Sequence, residues 1–181
     1  MKHLRFIVVA LALLCSASSF AQADYDYDRP APYAGYKGML DFNYALGVGE
    51  HSINRFGVST VHGYQFNRYI FTGVGAGFNY FYSDESFNLP IFADARFSLP
   101  FADNAAFYLD CRIGYSLLDA EGLYMSPAIG VRFGRKTALT ISVGYDFQQY
   151  DAIYCGHLSN GTYIYEKDNA GAITFRLGLD F

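Results

Sequence analysis

The chain contains no tryptophan, only five prolines in 181 residues, and no apolar run after its first two dozen positions that is long enough for a membrane-spanning helix. Such a helix needs about 20 consecutive apolar residues, so beyond the N-terminus any crossing of a bilayer must be made by strands. Charge is sparse, at 17% of residues, and acids outnumber bases. That balance excludes nucleic acid as an expected partner. Signatures of cofactor chemistry are missing as well. The run Gly73-Val74-Gly75-Ala76-Gly77 lacks the G-x-G-x-x-G spacing and a following helical pattern. Cys155 and His157 supply two ligands where a structural zinc takes four. Asp24, Asp26 and Asp28 have neither the Gly nor the Glu at the spacing of a calcium loop. No metal and no cofactor is expected.

What the chain does hold is aromatic residues and glycine: 17 Tyr, 17 Phe and 18 Gly, a composition that suits an all-β protein. Its first residues are basic (Lys2, Arg5), then apolar from Phe6 to Leu14, then small up to Ala21-Gln22-Ala23. This order describes a secretory signal peptide over residues 1–23, with Asp24 opening the mature chain. Cys15 would be the acylated residue of a lipoprotein, but Leu14 stands before it where that class uses small residues. With the signal peptide gone, eleven basic residues face 17 acidic ones. Residues 24–35 carry alternating acid and Tyr followed by two prolines, and read as a periplasmic tail leading into a fold over 36–181. Cys111 and Cys155 remain in an export pathway that permits disulfides, but they fall in a strand and in a loop, and pairing is not favoured.

The final stretch, 170–181, sets the pattern for the rest. Ile173, Phe175, Leu177, Leu179 and Phe181 share one face; Ala172, Thr174, Arg176, Gly178 and Asp180 share the other. Such a period of two marks a strand with unlike faces. It recurs seven times: from Tyr36, around Phe56 to Phe66, from Ile70 to Tyr82, from Leu89 to Leu99, from Phe107 to Leu117, from Leu123 to Phe133 and from Leu139 to Gln148. Short turns at Asn67, Asp103 and Arg135 alternate with longer polar connections at 50–54, 83–88, 118–122 and 149–169, the last running from Gln149 to Asn169. Eight strands with alternating short and long connections predict an up-and-down antiparallel barrel. Pro127 gives up a ladder bond, so its place is expected near the outer rim or at a bulge.

Which face is wet follows from the charges. The apolar rows are almost free of them, while the opposing rows hold Lys37, Arg96, Arg112, Arg132 and Arg176 with Asp41, Asp94, Asp110, Asp146 and Asp180. A membrane barrel turns its apolar rows to lipid and its polar rows inward, the reverse of a soluble barrel. Facing lipid, each Arg or Lys would cost about 2–4 kcal/mol at the midplane; in a narrow lumen the ten can pair. Gly at alternate positions of the 73–77 run relieves crowding on that inner wall. Aromatics gather at strand ends: Tyr64, Phe66, Phe97, Phe107, Phe133 and Phe181 at one rim, Tyr80, Tyr82, Tyr115, Tyr145 and Phe147 at the other, as in the girdles of membrane barrels.

The alternation and the final Phe181 resemble the small bacterial outer-membrane barrels of the OmpA/OmpX type, the porin-like outer-membrane β-barrel family. That resemblance implies an eight-stranded transmembrane barrel with polar interior and apolar exterior, located in the outer membrane. It also implies Phe181 as the assembly signal read by the barrel-assembly machinery, and outer-membrane lipid and lipopolysaccharide as neighbours. A monomer is expected. An eight-stranded barrel is filled by its own side chains, so the leading expectation is a structural or surface-interaction role, with the 149–169 connection as the contact for an extracellular ligand. A narrow ion channel is the alternative. A barrel enzyme acting on lipid A is the least favoured: His51, His62 and His157, with Ser52, Ser59 and Ser159 nearby, form no dyad except His157-Leu158-Ser159.

Overall fold

The computed structural model describes residues 34–48, 54–82, 86–118, 121–154 and 164–181. The expected signal peptide (1–23), residues 24–33 of the expected tail, His51, Ser52, Cys155, His157 and Ser159 lie outside them. Period-two sequences become eight strands: β1 Gly35–Val48, β2 Arg55–Gln65, β3 Ile70–Phe81, β4 Ser86–Ala102, β5 Ala105–Leu118, β6 Gly122–Phe133, β7 Ala138–Tyr154 and β8 Ile164–Asp180. Each pairs antiparallel with the next, and β8 returns to β1 from Met39↔Asp180 to Val48↔Gly171, closing the ring. Closure leaves no free sheet edge around the body of the barrel.

The turns at one rim are held locally. The Asn67 side-chain oxygen accepts from the backbone N–H of Tyr69 (2.8 Å) and Ile70 (2.9 Å), and Gln65 Nε2 donates to the carbonyls of Asn67 and Ile70. Between β6 and β7, Gly134 takes φ +126°, which only glycine adopts without strain, and its N–H donates to the Asn104 carbonyl at 2.7 Å. Both chain ends of the barrel lie at this rim: Phe181 and Gly38 exchange two backbone hydrogen bonds of 2.8 and 2.9 Å. A Cβ on Gly38 would collide with the Phe181 ring, so glycine at 38 is what lets that ring lie against β1.

Three expectations are corrected. Residues 149–169 are not one long loop: β7 and β8 stay paired from Gln149↔Asn169 out to Tyr154↔Ile164, so the connection proper is 155–163. The connection at 83–88 is likewise shorter, since β4 begins at Ser86 and Asn88 is buried. Pro127 sits mid-strand, opposite Cys111 and away from any rim. The β6–β7 ladder stops at Met125↔Phe147 and resumes at Ala128↔Gly144 in the same register, so the proline is accommodated by an interrupted ladder without a bulge.

Candidate functional site

Two walls share the same backbone and differ completely in exposure. The outward rows are predominantly apolar on all eight strands, with Thr60 and His62 of β2 among the polar exceptions, and open to the surroundings, with Val74 67% and Ile129 61% exposed. A continuous apolar surface of that extent is far beyond what a soluble monomer shows. Inward, Asp110 and Arg112 are 1% exposed. Aromatic pairs mark both rims: Tyr64–Phe66 and Phe101–Phe107 at the rim of the short turns, Tyr80–Tyr82 and Phe78–Phe87 at the other.

The lumen charges form one connected network. At the rim of the longer connections, Arg55 Nη2 donates to Asp146 Oδ2 at 2.9 Å, while Asp146 Oδ1 takes the Ser126 hydroxyl and lies 3.5 Å from Arg176 Nη2. Arg176 continues inward through Nη1 to Asp110 Oδ2 at 2.8 Å and also donates to Ser126 Oγ. In the middle tier Arg112 donates to Asp41 and, at 3.1 Å, to Ser59 Oγ; its Nε stands 3.3 Å from Asp110 and 3.6 Å from Asp94. At the opposite rim Arg96 joins Asp110 to Asp180, both at 3.3 Å, and Asp180 also holds Lys37 (2.9 Å) and Arg132 (3.1 Å). Lys37, Asp41, Asp94, Arg96, Asp110, Arg112, Arg132, Asp146, Arg176 and Asp180 are thus brought into one assembly.

Aromatic rings fill the space between the ions. Arg96 stacks 4.3 Å over Tyr108, Arg112 5.1 Å over Phe92, Arg55 5.8 Å over Phe81 and Lys37 5.9 Å over Phe71, contacts that partly replace lost hydration. Glycines on the inner wall make room for the rings: a Cβ on Gly75 would meet Phe92 at 2.6 Å, and one on Gly130 would meet Tyr108 at 2.6 Å. Beside the ions, Asn79, Asn88, Ser116 and Gln148 bond to one another, with Asn79 Nδ2 to Asn88 Oδ1 at 2.8 Å and Ser116 Oγ to Gln148 Oε1 at 2.9 Å.

No protein-family model matches the sequence, and no curated protein sequence does. Among solved structures, Neisserial surface protein A matches with a TM-score of 0.61 at 15% identity, covering 81% of this chain and 97% of that one. A de novo designed transmembrane β-barrel matches at 0.50 and 12% identity, covering 83% and 95%. The N-terminal barrel domain of Pseudomonas aeruginosa OprF matches at 0.46 and 12% identity, covering 80% and 97%. The fold is that of a small outer-membrane β-barrel.

Arg55 is the lumen ion that period-two reading misses. It is the first residue of β2 and joins a polar connection, and only its alternation with Gly57 and Ser59 marks it as inward. The serine and histidine of β2 are not brought together: Ser59 faces the lumen and accepts from Arg112, whereas His62 lies on the lipid wall of the barrel. There His62 is enclosed in a chain of hydrogen bonds. Tyr36 Oη lies 2.6 Å from Nδ1, Thr60 Oγ1 lies 3.0 Å from Nε2, and the Thr60 hydroxyl donates to the Met39 carbonyl at 3.1 Å. Cys111 is a free thiol on the lipid wall.

Proposed function

We propose that this protein is an integral barrel of a bacterial outer membrane with a plugged lumen, and that it acts as a structural or surface-interaction element. One observation carries the reading. The chain of contacts Arg55–Asp146–Arg176–Asp110–Arg96–Asp180 runs from one rim to the other through side chains that are almost wholly buried. Solute passage would require breaking buried ion pairs, each costing about 3–5 kcal/mol when one partner is lost. Contact with the outside is then left to the connections between strands, and above all to the ribbon of β7 and β8, which continues past the other strands. In this reading lipid and lipopolysaccharide surround the apolar wall, Phe181 is the residue presented to the barrel-assembly machinery, and the barrel works as a monomer without enzymatic activity.

The test is electrical. Protein purified in detergent and inserted into a planar bilayer is expected to give a flat current at all applied voltages. Reproducible unitary steps would replace this reading with the narrow channel.

A further inference from the structure

We propose that the lipid wall carries a site for one anionic glycerophospholipid, its acyl chain seated in a groove over Val131 and its phosphate held by Arg135 and Lys136 on the turn that follows β6. The inference rests on the reading of the chain as an outer-membrane barrel.

The outer wall is not uniform. A groove of about 530 Å³ crosses it from Phe97 on β4 to Phe175 on β8, a volume inside the range of about 300–1,000 Å³ that ligand sites occupy. Val131 lies within it, half-buried, between its pairing partners Phe107 on β5 and Ile141 on β7, which are 54% and 52% exposed. A small side chain flanked by bulkier ones makes the wall dip there. Floor and flanks are apolar, so a hydrocarbon chain is the filling that costs no hydrogen bond.

The turn beyond the groove supplies the head end. β6 stops at Phe133 and β7 starts at Ala138, so the connection 134–137 follows Val131 closely. At about 3.3 Å per residue, Arg135 lies roughly 13 Å along the chain from Val131, less than the half-thickness of about 15 Å of a hydrocarbon core. One lipid therefore spans both. The Gly134 N–H donates to the Asn104 carbonyl at 2.7 Å, which joins this turn to the β4–β5 turn as one surface. Arg135 and Lys136 are exposed there, and Asp103 stands 3.9 Å from Arg135 with both side chains largely in solvent. With Arg68 on the β2–β3 turn, three bases meet one acid among the described residues of the short turns. A guanidinium fork and an ammonium are donors suited to a phosphodiester, and basic residues at a membrane surface favour lipids of net negative charge. A zwitterionic head would bring its own cation against those bases. Short turns of outer-membrane barrels face the periplasm, which selects a glycerophospholipid over lipopolysaccharide.

The experiment offers the intact protein, purified in detergent, equal amounts of phosphatidylglycerol and phosphatidylethanolamine, and reads the retained lipid by native mass spectrometry. Phosphatidylglycerol is expected to be retained several-fold better. Arg135→Gln combined with Lys136→Gln should abolish the preference. Val131→Phe, which fills the groove and changes no charge, should lower phosphatidylglycerol retention several-fold; should that variant fail to fold, Val143→Phe fills the same groove from β7. Compact, unboiled mobility on gels after insertion into phosphatidylcholine vesicles checks the fold of each protein without any anionic lipid. A parent protein that does not insert overturns the outer-membrane reading and the site with it. An inserted barrel that retains both lipids equally, keeps its preference without Arg135 and Lys136, or binds as well with the groove filled overturns the site alone. So does stronger retention of lipid A than of phosphatidylglycerol.

Discussion

The two faces of the same eight strands obey opposite rules. On the lipid wall, Leu109, Ile129 and Leu177 each meet surroundings as apolar as themselves, and what they need is character more than a particular partner. On the lumen wall every ion depends on named neighbours: Asp180 serves Arg96, Lys37 and Arg132, and Asp110 serves Arg96, Arg112 and Arg176. The outside is therefore defined by composition and the inside by geometry. Substitutions should be forgiven or punished accordingly.

The contrast is broken most severely at Asp180. Asp180→Ala leaves Lys37 and Arg132 without their carboxylate and Arg96 with Asp110 alone, and is expected to destabilise the barrel by about 3–5 kcal/mol, read as a lower urea midpoint for loss of the compact, unboiled mobility on detergent gels. A loss below about 1 kcal/mol would mean that lumen water substitutes for the carboxylate and that the inside is also governed by composition. On the other wall, Ile129→Arg in lipid vesicles is expected to cost about 2–4 kcal/mol by the same midpoint, while Ile129→Leu leaves it nearly unchanged; equal effects would remove the distinction. The smallest effect sharpens it. Arg135 and Asp103 form an ion pair of 3.9 Å in which both side chains are largely exposed. Arg135→Ala should move the midpoint by no more than about 0.5 kcal/mol, although the charges are of the same kind as those inside.

The fold was legible in the sequence wherever a strand separates lipid from lumen, because that boundary forces alternation residue by residue. Ile173 to Phe181 and Leu139 to Gln148 carry the pattern without interruption. It stops being legible where the boundary ends. Beyond Gln149 the alternation of apolar and polar residues is lost, so Tyr150, Asp151 and Ala152 look like loop although they pair with β8 as strand. Arg55 and Asn88 were hidden for a related reason: each begins an inward row directly beside a polar connection, where a charge or an amide is unremarkable. Pro127 misled in the other direction. The rule that a closed ladder resists proline is sound on average, but here β6 keeps its pairing to β5 and gives up contact with β7 over two residues. Two ion pairs follow the register of neighbouring strands, Arg96 opposite Asp110 and Arg112 opposite Asp94, but others join strands far apart in sequence, as from Arg55 to Asp146, and alternation gives no means of finding those.

The pairing of Lys37 with Asp180 has one more consequence, for the order of assembly. Lys37 belongs to the first strand and Asp180 to the last, and they meet only across the seam where the ring shuts. An unzipped sheet would therefore hold the Lys37 ammonium away from Asp180, and Arg55 away from Asp146, until the final moment, when a single docking event brings both pairs together. Such late reward makes half-closed intermediates poor resting places and turns the last step of folding into an all-or-none commitment.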